Sequence, residues 1–340
     1  MRIIALLLAA LLLLGCTDGG RQPPAQNQTN QTEEKPPVNI IVEEQKNQTT
    51  EKNETEVPVE PPGEEPEGLQ YESTPDANLG VFFIDVGAPG LHGDAILLKK
   101  GDLDVLVDAG PPEKSGKVVD FLHEHGVDDI EVLVSTNGDP RHYGGMDAVA
   151  EAFTIEEFWW ANYTLDDPAY EAVAERMSGK ARYVKEVEEG FGAELNGINF
   201  TALNPPKEDR FDDVNNDAIV MRVVDRNFSL LLTSGIQTGA QGRLTNERKS
   251  EIQTEIIQAP YYGVGSGTSN IGLFLITAKP KMMVISGSSD ESAANGGSRD
   301  PYKRLMTQYN ISWRENYVNG TIRVTYDGEA YSLQALGAGQ

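Results

Sequence analysis

The feature that most limits what this chain can fold into is an abrupt change of character near residue 78. Before it, from Thr17 onward, Pro, Glu, Gln, Thr and Asn dominate and aromatic residues are nearly absent. Such a stretch buries too little apolar surface to offset its ordering entropy, so residues 16–78 are expected to form a disordered, extended tether. From Leu79 onward, short runs of Val, Ile and Leu alternate with amphipathic helical segments, which predicts one layered α/β domain over 79–340. Cys16 is the only cysteine, so no intrachain disulfide is available and the domain depends on core burial.

Ahead of the tether stand Met1-Arg2 and an unbroken apolar run from Ile3 to Leu14. A spanning helix needs roughly 20 apolar residues, so this run reads as a cleaved export signal over 1–15. Gly15 before Cys16 fits the box at which lipoprotein signals are cut, the new terminal cysteine then carrying lipid. The expected location is the cell surface, with the chain anchored by lipid to the outer face of the cytoplasmic membrane and with a membrane or surface protein as a further candidate partner. Sequons of the form N-x-S/T at Asn27, Asn30, Asn47, Asn53, Asn162, Asn199, Asn227, Asn310 and Asn319 agree with an N-glycosylated surface protein.

The formal charge is −25, of which the tether supplies −10, Arg2 gives +1 and the residues from Leu79 onward carry −16. A protein that neutralises many phosphates needs a basic footprint, so this balance counts against broad duplex-DNA binding.

Strands are predicted at Val81–Val86, Ala95–Lys99, Asp104–Asp108, Ile130–Ser135, Phe200–Leu203, Ile219–Val224, Phe228–Leu232, Glu255–Gln258, Met282–Ser286 and Thr321–Tyr326. Helices are predicted at Lys117–His125, after Gly144-Gly145, at Asn270–Ala278 and at Tyr302–Tyr309, and a hairpin through Asp225-Arg226-Asn227.

Seven blocks carry a family likeness: Phe83-Ile84-Asp85-Val86-Gly87 with Gly93-Asp94-Ala95, Leu106-Val107-Asp108-Ala109-Gly110, Val132 through Gly145, Asn215-Asn216-Asp217, Leu231-Leu232-Thr233-Ser234-Gly235, Ala259-Pro260-Tyr261-Tyr262-Gly263, and Gly320 through Val324. In this order they resemble the metallo-β-lactamase fold, specifically the ComEC-type competence hydrolase-like domain. The resemblance implies an αββα sandwich, two mixed β-sheets flanked by helices, with its site at one edge of the sheets. It also implies a pair of metals, usually zinc, that polarise substrate and acidify a bridging water.

Most of the metal ligands that the resemblance calls for are replaced. Asn137 and Asp139 stand where two histidines belong, Arg141 where an aspartate belongs, Gly235 where the bridging aspartate belongs, and Tyr261-Tyr262 where a histidine pair belongs; the last family histidine falls near Ser298. His142 is retained. The expectation is therefore a degenerate site needing no cofactor, in a binding or scaffolding module whose setting, by family analogy, is DNA uptake or extracellular nucleic-acid handling. The alternative is an active hydrolase, phosphodiesterase or nuclease-like, with zinc or another divalent metal on His142, Asp139 and Asp217. Candidate cleft residues are His142, Asp139, Arg141, Asp217, Tyr261 and Tyr262, with Asp85 and Asp108 expected to bond loop amides at strand ends. His92 reads as a loop residue near the cleft and His123-Glu124-His125 as a solvated helix end, because residues two apart on a helix diverge. Gly263 to Thr268 and Asp290 to Asp300 read as loops, and Trp159, Trp160 and Trp313 as core or interface residues.

Overall fold

The computed structural model describes residues 68–161, 167–264, 272–288 and 299–337. Cys16, the leader, the tether sequons, Asn162, Ser298 and most of the two predicted loops lie outside the described residues. Residues 64–340 form one unit. Among the described residues no helix is long and apolar enough to cross a membrane.

Chain order begins β1 (Leu79–Phe83), β2 (Ala95–Lys100), β3 (Leu103–Ala109), α1 (Ser115–Glu124), β4 (Ile130–Ser135), α2 (Pro140–Tyr143), α3 (Met146–Ala152), β5 (Ile155–Trp160), α4 (Pro168–Lys180) and β6 (Tyr183–Glu186). It continues β7 (Gly192–Leu195), β8 (Ile198–Asn204), β9 (Val220–Asp225), β10 (Phe228–Leu232), α5 (Thr238–Glu247), β11 (Ile256–Gln258), α6 (Gly272–Ala278), β12 (Met282–Ile285), α7 (Asp300–Gln308), β13 (Ser312–Glu315), α8 (Asn316–Asn319), β14 (Ile322–Tyr326) and β15 (Tyr331–Ala335).

Two mixed sheets result. The first runs β15-β14-β1-β2-β3-β4-β5-β6 and the second β13-β12-β11-β10-β9-β8-β7. Each is half antiparallel and half parallel: β3, β4, β5 and β6 pair in parallel in one sheet, β10, β11, β12 and β13 in the other. Strands β1, β3 and β4 are buried along their whole length, which explains their near-continuous apolar runs. One apolar cluster draws side chains from both sheets and from α1, α3 and α4. A second joins the other side of the second sheet to α5, α6 and α7. The expected layering of two mixed sheets flanked by helices is what the chain forms. Helix α1 ends where Gly126 takes φ 69°, and the β9–β10 hairpin turns through Arg226 at φ 50°.

A buried ion pair ties the sheets together. Lys100 at the end of β2 places Nζ 2.9 Å from Oδ1 of Asp225 at the end of β9, and both side chains are fully buried.

The folded body reaches back past Leu79. Residues 69–77, which composition places in the tether, are held against it as a strap. The backbone amides of Gln70, Glu72 and Thr74 donate to side-chain oxygens of Glu156 (2.9 Å), Asp102 (2.8 Å) and Asn196 (2.7 Å). Leu69 and Tyr71 pack on the first apolar cluster.

Candidate functional site

Parallel strands deliver their C-terminal ends to one edge, which is where open α/β sheets build sites. Here β3 ends in Asp108, β4 runs into the loop from Thr136 to His142, β10 runs into Ser234-Gly235, and β11 into Tyr261-Tyr262. The backbone at these ends is unusual: Asp108, Ser234, Tyr261 and Tyr262 have φ of 58°, 49°, 46° and 58°. Left-handed conformations cost non-glycine residues energy and cluster where a fold fixes a site.

His142 lies at the centre and is 1% exposed. Its Nδ1 is 2.8 Å from Oδ2 of Asp108 and 3.7 Å from Oδ2 of Asp94. Its Nε2 is 2.9 Å from the Tyr262 hydroxyl. A neutral ring donates its Nδ1–H to Asp108 and accepts a hydrogen bond from the tyrosine hydroxyl at Nε2; an imidazolium donates to both. Burial disfavours the charged ring, but the carboxylates of Asp108, Asp94 and Asp139 outweigh it and leave the His142 pKa raised. Burial also pushes Tyr262 far above the usual phenol range, so its hydroxyl keeps its proton.

Asp108 does more than the expected amide bonding. It accepts from the Thr136 amide (2.8 Å) and hydroxyl (2.5 Å) as well as from His142, and Thr136 Oγ1 in turn meets Ser234 Oγ at 2.7 Å. Asp94 had no role assigned from the sequence beyond its motif. Its carboxylate is buried beside His142, and burial raises its pKa; Ser286 and Gln258 lie near enough to favour the anion, yet neither completes a hydrogen bond. His92 is buried too, stacked on Tyr262 at 5.0 Å between ring centroids. Arg299, another residue without an expected role, is fully buried and donates to the carbonyl oxygens of Tyr262 (3.0 Å) and Ser288 (2.9 Å).

Asp139 and Arg141 form a local ion pair as a fork, Nε to Oδ1 at 2.9 Å and Nη2 to Oδ2 at 2.5 Å. Burial works against the Asp139 anion, but Arg141 holds its carboxyl below the usual range. The guanidinium also lies over the rings of Tyr262 (5.3 Å) and Tyr261 (5.9 Å).

Asp217 does not join this group through its carboxylate. Its oxygens accept from the amides of Phe211 (3.1 Å) and Asp213 (3.4 Å), closing its own loop. Asp85 bonds Lys117 (3.2 Å) rather than loop amides, a correction that follows from the ammonium of α1 reaching one carboxylate oxygen while the other is buried without a hydrogen-bond partner. The helix end is solvated as expected, with His123 and Glu124 exposed and His125 half-buried; in addition His125 stacks on Phe121 at 3.9 Å and His123 lies against Phe153 at 4.6 Å.

These residues do not fit a dinuclear metal centre. Both nitrogens of His142 are engaged, Asp139 is taken by Arg141, and Asp217 is turned into its loop. A Cβ on Gly235 would stand 2.5 Å from Asn137 Nδ2 and 2.6 Å from Asn215 Oδ1, so the pair fills the place where a side chain would enter. Among the described residues no three His, Cys, Asp or Glu side chains are grouped to hold a metal ion.

The architecture overlays on the metallo-beta-lactamase fold protein YhfI of Bacillus subtilis with a TM-score of 0.50 at 13% identity, covering 72% of this chain and 99% of that one. The fold is that of the metallo-β-lactamases. In sequence, the metallo-β-lactamase-fold chain is 25% identical over 216 residues to the competence protein ComA of Neisseria gonorrhoeae, covering 63% of this chain and 28% of that protein. It is 22% identical over 264 residues to the uncharacterized protein YcaI of Escherichia coli K12, covering 75% of this chain and 31% of that protein. The chain thus spans under a third of the length of the curated relatives it matches. No protein-family model matches it.

Proposed function

We propose that this chain is a catalytically degenerate relative of the ComEC-type hydrolase-like domain, held by lipid on Cys16 at the outer face of the cytoplasmic membrane, where it acts as a binding or scaffolding module. The observation that carries this reading is the 2.9 Å bond between Tyr262 and Nε2 of His142, which spends the one retained histidine of the family's metal motif on a tyrosine. A water nucleophile near neutrality needs a metal with an open position, and the fork between Arg141 and Asp139 places a fixed positive charge among the same side chains. The likeness to a competence protein supports DNA uptake or extracellular nucleic-acid handling as the setting. The acidic charge of the chain favours contact with a protein of that machinery over broad contact with the nucleic acid itself.

Two measurements test the reading. The full chain, assayed on an activated phosphodiester with and without zinc or manganese, is expected to give no turnover above buffer; turnover abolished by His142→Ala contradicts degeneracy. In cells, Cys16→Ser is expected to move the protein from the membrane fraction to the medium or to block its processing, and unchanged membrane retention contradicts the lipid anchor.

A further inference from the structure

The N-terminal ends of β3, β4 and β5, opposite the edge that carries His142, gather six carboxylates: Asp102, Asp104, Asp128, Asp129, Glu131 and Glu156. Asp104 is fully buried, Glu131 is 1% exposed, and Glu156 is buried as well. Lys99 supplies positive charge, but its ammonium is committed to both oxygens of Asp104, at 3.0 and 2.7 Å. Glu131 accepts the Asp104 amide on Oε2 at 2.7 Å, while its buried Oε1 has no hydrogen-bond partner. A buried carboxylate with an unsatisfied oxygen is costly to ionise.

The same cluster holds the strap. Gln70 donates its amide to Oε2 of Glu156 and Glu72 donates its amide to Oδ2 of Asp102. Glu72 carries a further acidic side chain to this end of the sheet.

We propose that this carboxylate cluster is a proton-linked clasp, shut on the strap while Glu131 keeps its proton and loosened when the proton leaves. Ionisation places a new charge where Lys99 is already occupied and where Asp129 and Asp104 are the charged neighbours. The strain is relieved when Asp102 and Glu156 turn toward water, which releases the amides of Glu72 and Gln70.

The titration has the sign this requires. Burial pushes Glu131 up to about 8 and Asp104 up to about 7, and Asp129 is raised in the same way. Folded-state values above the unfolded ones stabilise the fold fully below the unfolded values, near 4, and that stability is lost as pH rises toward about 8. The clasp is therefore tightest in mild acid. It loosens across the neutral range, at the point where the folded body meets the chain that precedes it.

Hydrogen exchange on the full chain tests this, following peptides that cover residues 68–78 between about pH 6 and about pH 9 after correction for intrinsic exchange. Strap protection is expected to fall roughly tenfold or more over that range in the wild type, while peptides from β9 and β10 hold steady. In Glu131→Gln, which keeps the acceptor for Asp104 and cannot ionise, the strap is expected to stay protected throughout. Protection that is independent of pH in the wild type, or a wild-type profile in Glu131→Gln, overturns the proposal. Should that variant fail to fold, carbon-13 titration of the wild-type Glu131 carboxyl decides instead: a midpoint near its ordinary value of about 4.5 overturns the clasp, and one near 8 supports it.

Discussion

The Tyr262 hydroxyl and Nε2 of His142 lie 2.9 Å apart, both side chains buried, at the edge where two parallel half-sheets end. Tyr262 is held from three sides: His92 stacks on its ring, Arg299 donates to its carbonyl, and Arg141 lies over its face. The residue acts as a plug, and the retained histidine serves to fix it.

Removing the hydroxyl should expose that role. Tyr262→Phe leaves a buried ring nitrogen of His142 without a partner, and the expected loss is about 1–3 kcal/mol of unfolding free energy. Urea unfolding of the variant beside the wild type checks this. A neutral result would mean that the bond contributes nothing.

Restoring a single ligand should not restore the centre. Gly235→Asp drives a Cβ to within 2.6 Å of Asn137 and Asn215, and the overpacking is expected to cost about 1–3 kcal/mol without any gain in zinc affinity. Thermal unfolding with and without zinc reads both effects. A midpoint that rises with zinc in this variant alone would show that the pocket is more adaptable than its packing implies.

The bond between the sheets should behave as a buried pair. Lys100→Met leaves Asp225 with Arg226 alone, and the expected destabilisation is about 3 kcal/mol, the low end for a broken buried pair because Arg226 still bonds both carboxylate oxygens. Adding Asp225→Leu should recover much of that loss, since the uncompensated charge goes with it. Additive losses in the double variant would argue against a direct interaction.

The first sheet was legible because its inner strands read as continuous apolar runs: Ile130–Ser135 was predicted to the residue, as was Phe228–Leu232 in the second sheet. Strand β5 was missed because Glu156 and Glu157 interrupt its pattern. Their charges are met by contacts the sequence does not display, Glu157 with Trp159 Nε1 (2.6 Å) and Lys185 (2.8 Å), Glu156 with the strap. Helix α5 was missed because Gly239, Gly242 and polar Gln241 blur its periodicity; Gln241 is buried and bonds the Ile236 carbonyl. Short edge strands β6, β7 and β15 carry too little apolar burial to announce themselves. At the site, Asp139, Arg141, Tyr261 and Tyr262 were visible as departures from a motif, and His142 as its retained histidine. Asp94, Ser234 and Arg299 were not, because what they do depends on partners that only the fold brings within reach.

The most direct test of the central claim is elemental analysis of the full chain, purified without chelator and again after dialysis against excess zinc. With Nε2 of His142 committed to Tyr262, metal is expected at well under one equivalent per chain in both preparations, unchanged by His142→Ala. One or two equivalents that survive dialysis into metal-free buffer and disappear in His142→Ala would contradict the account.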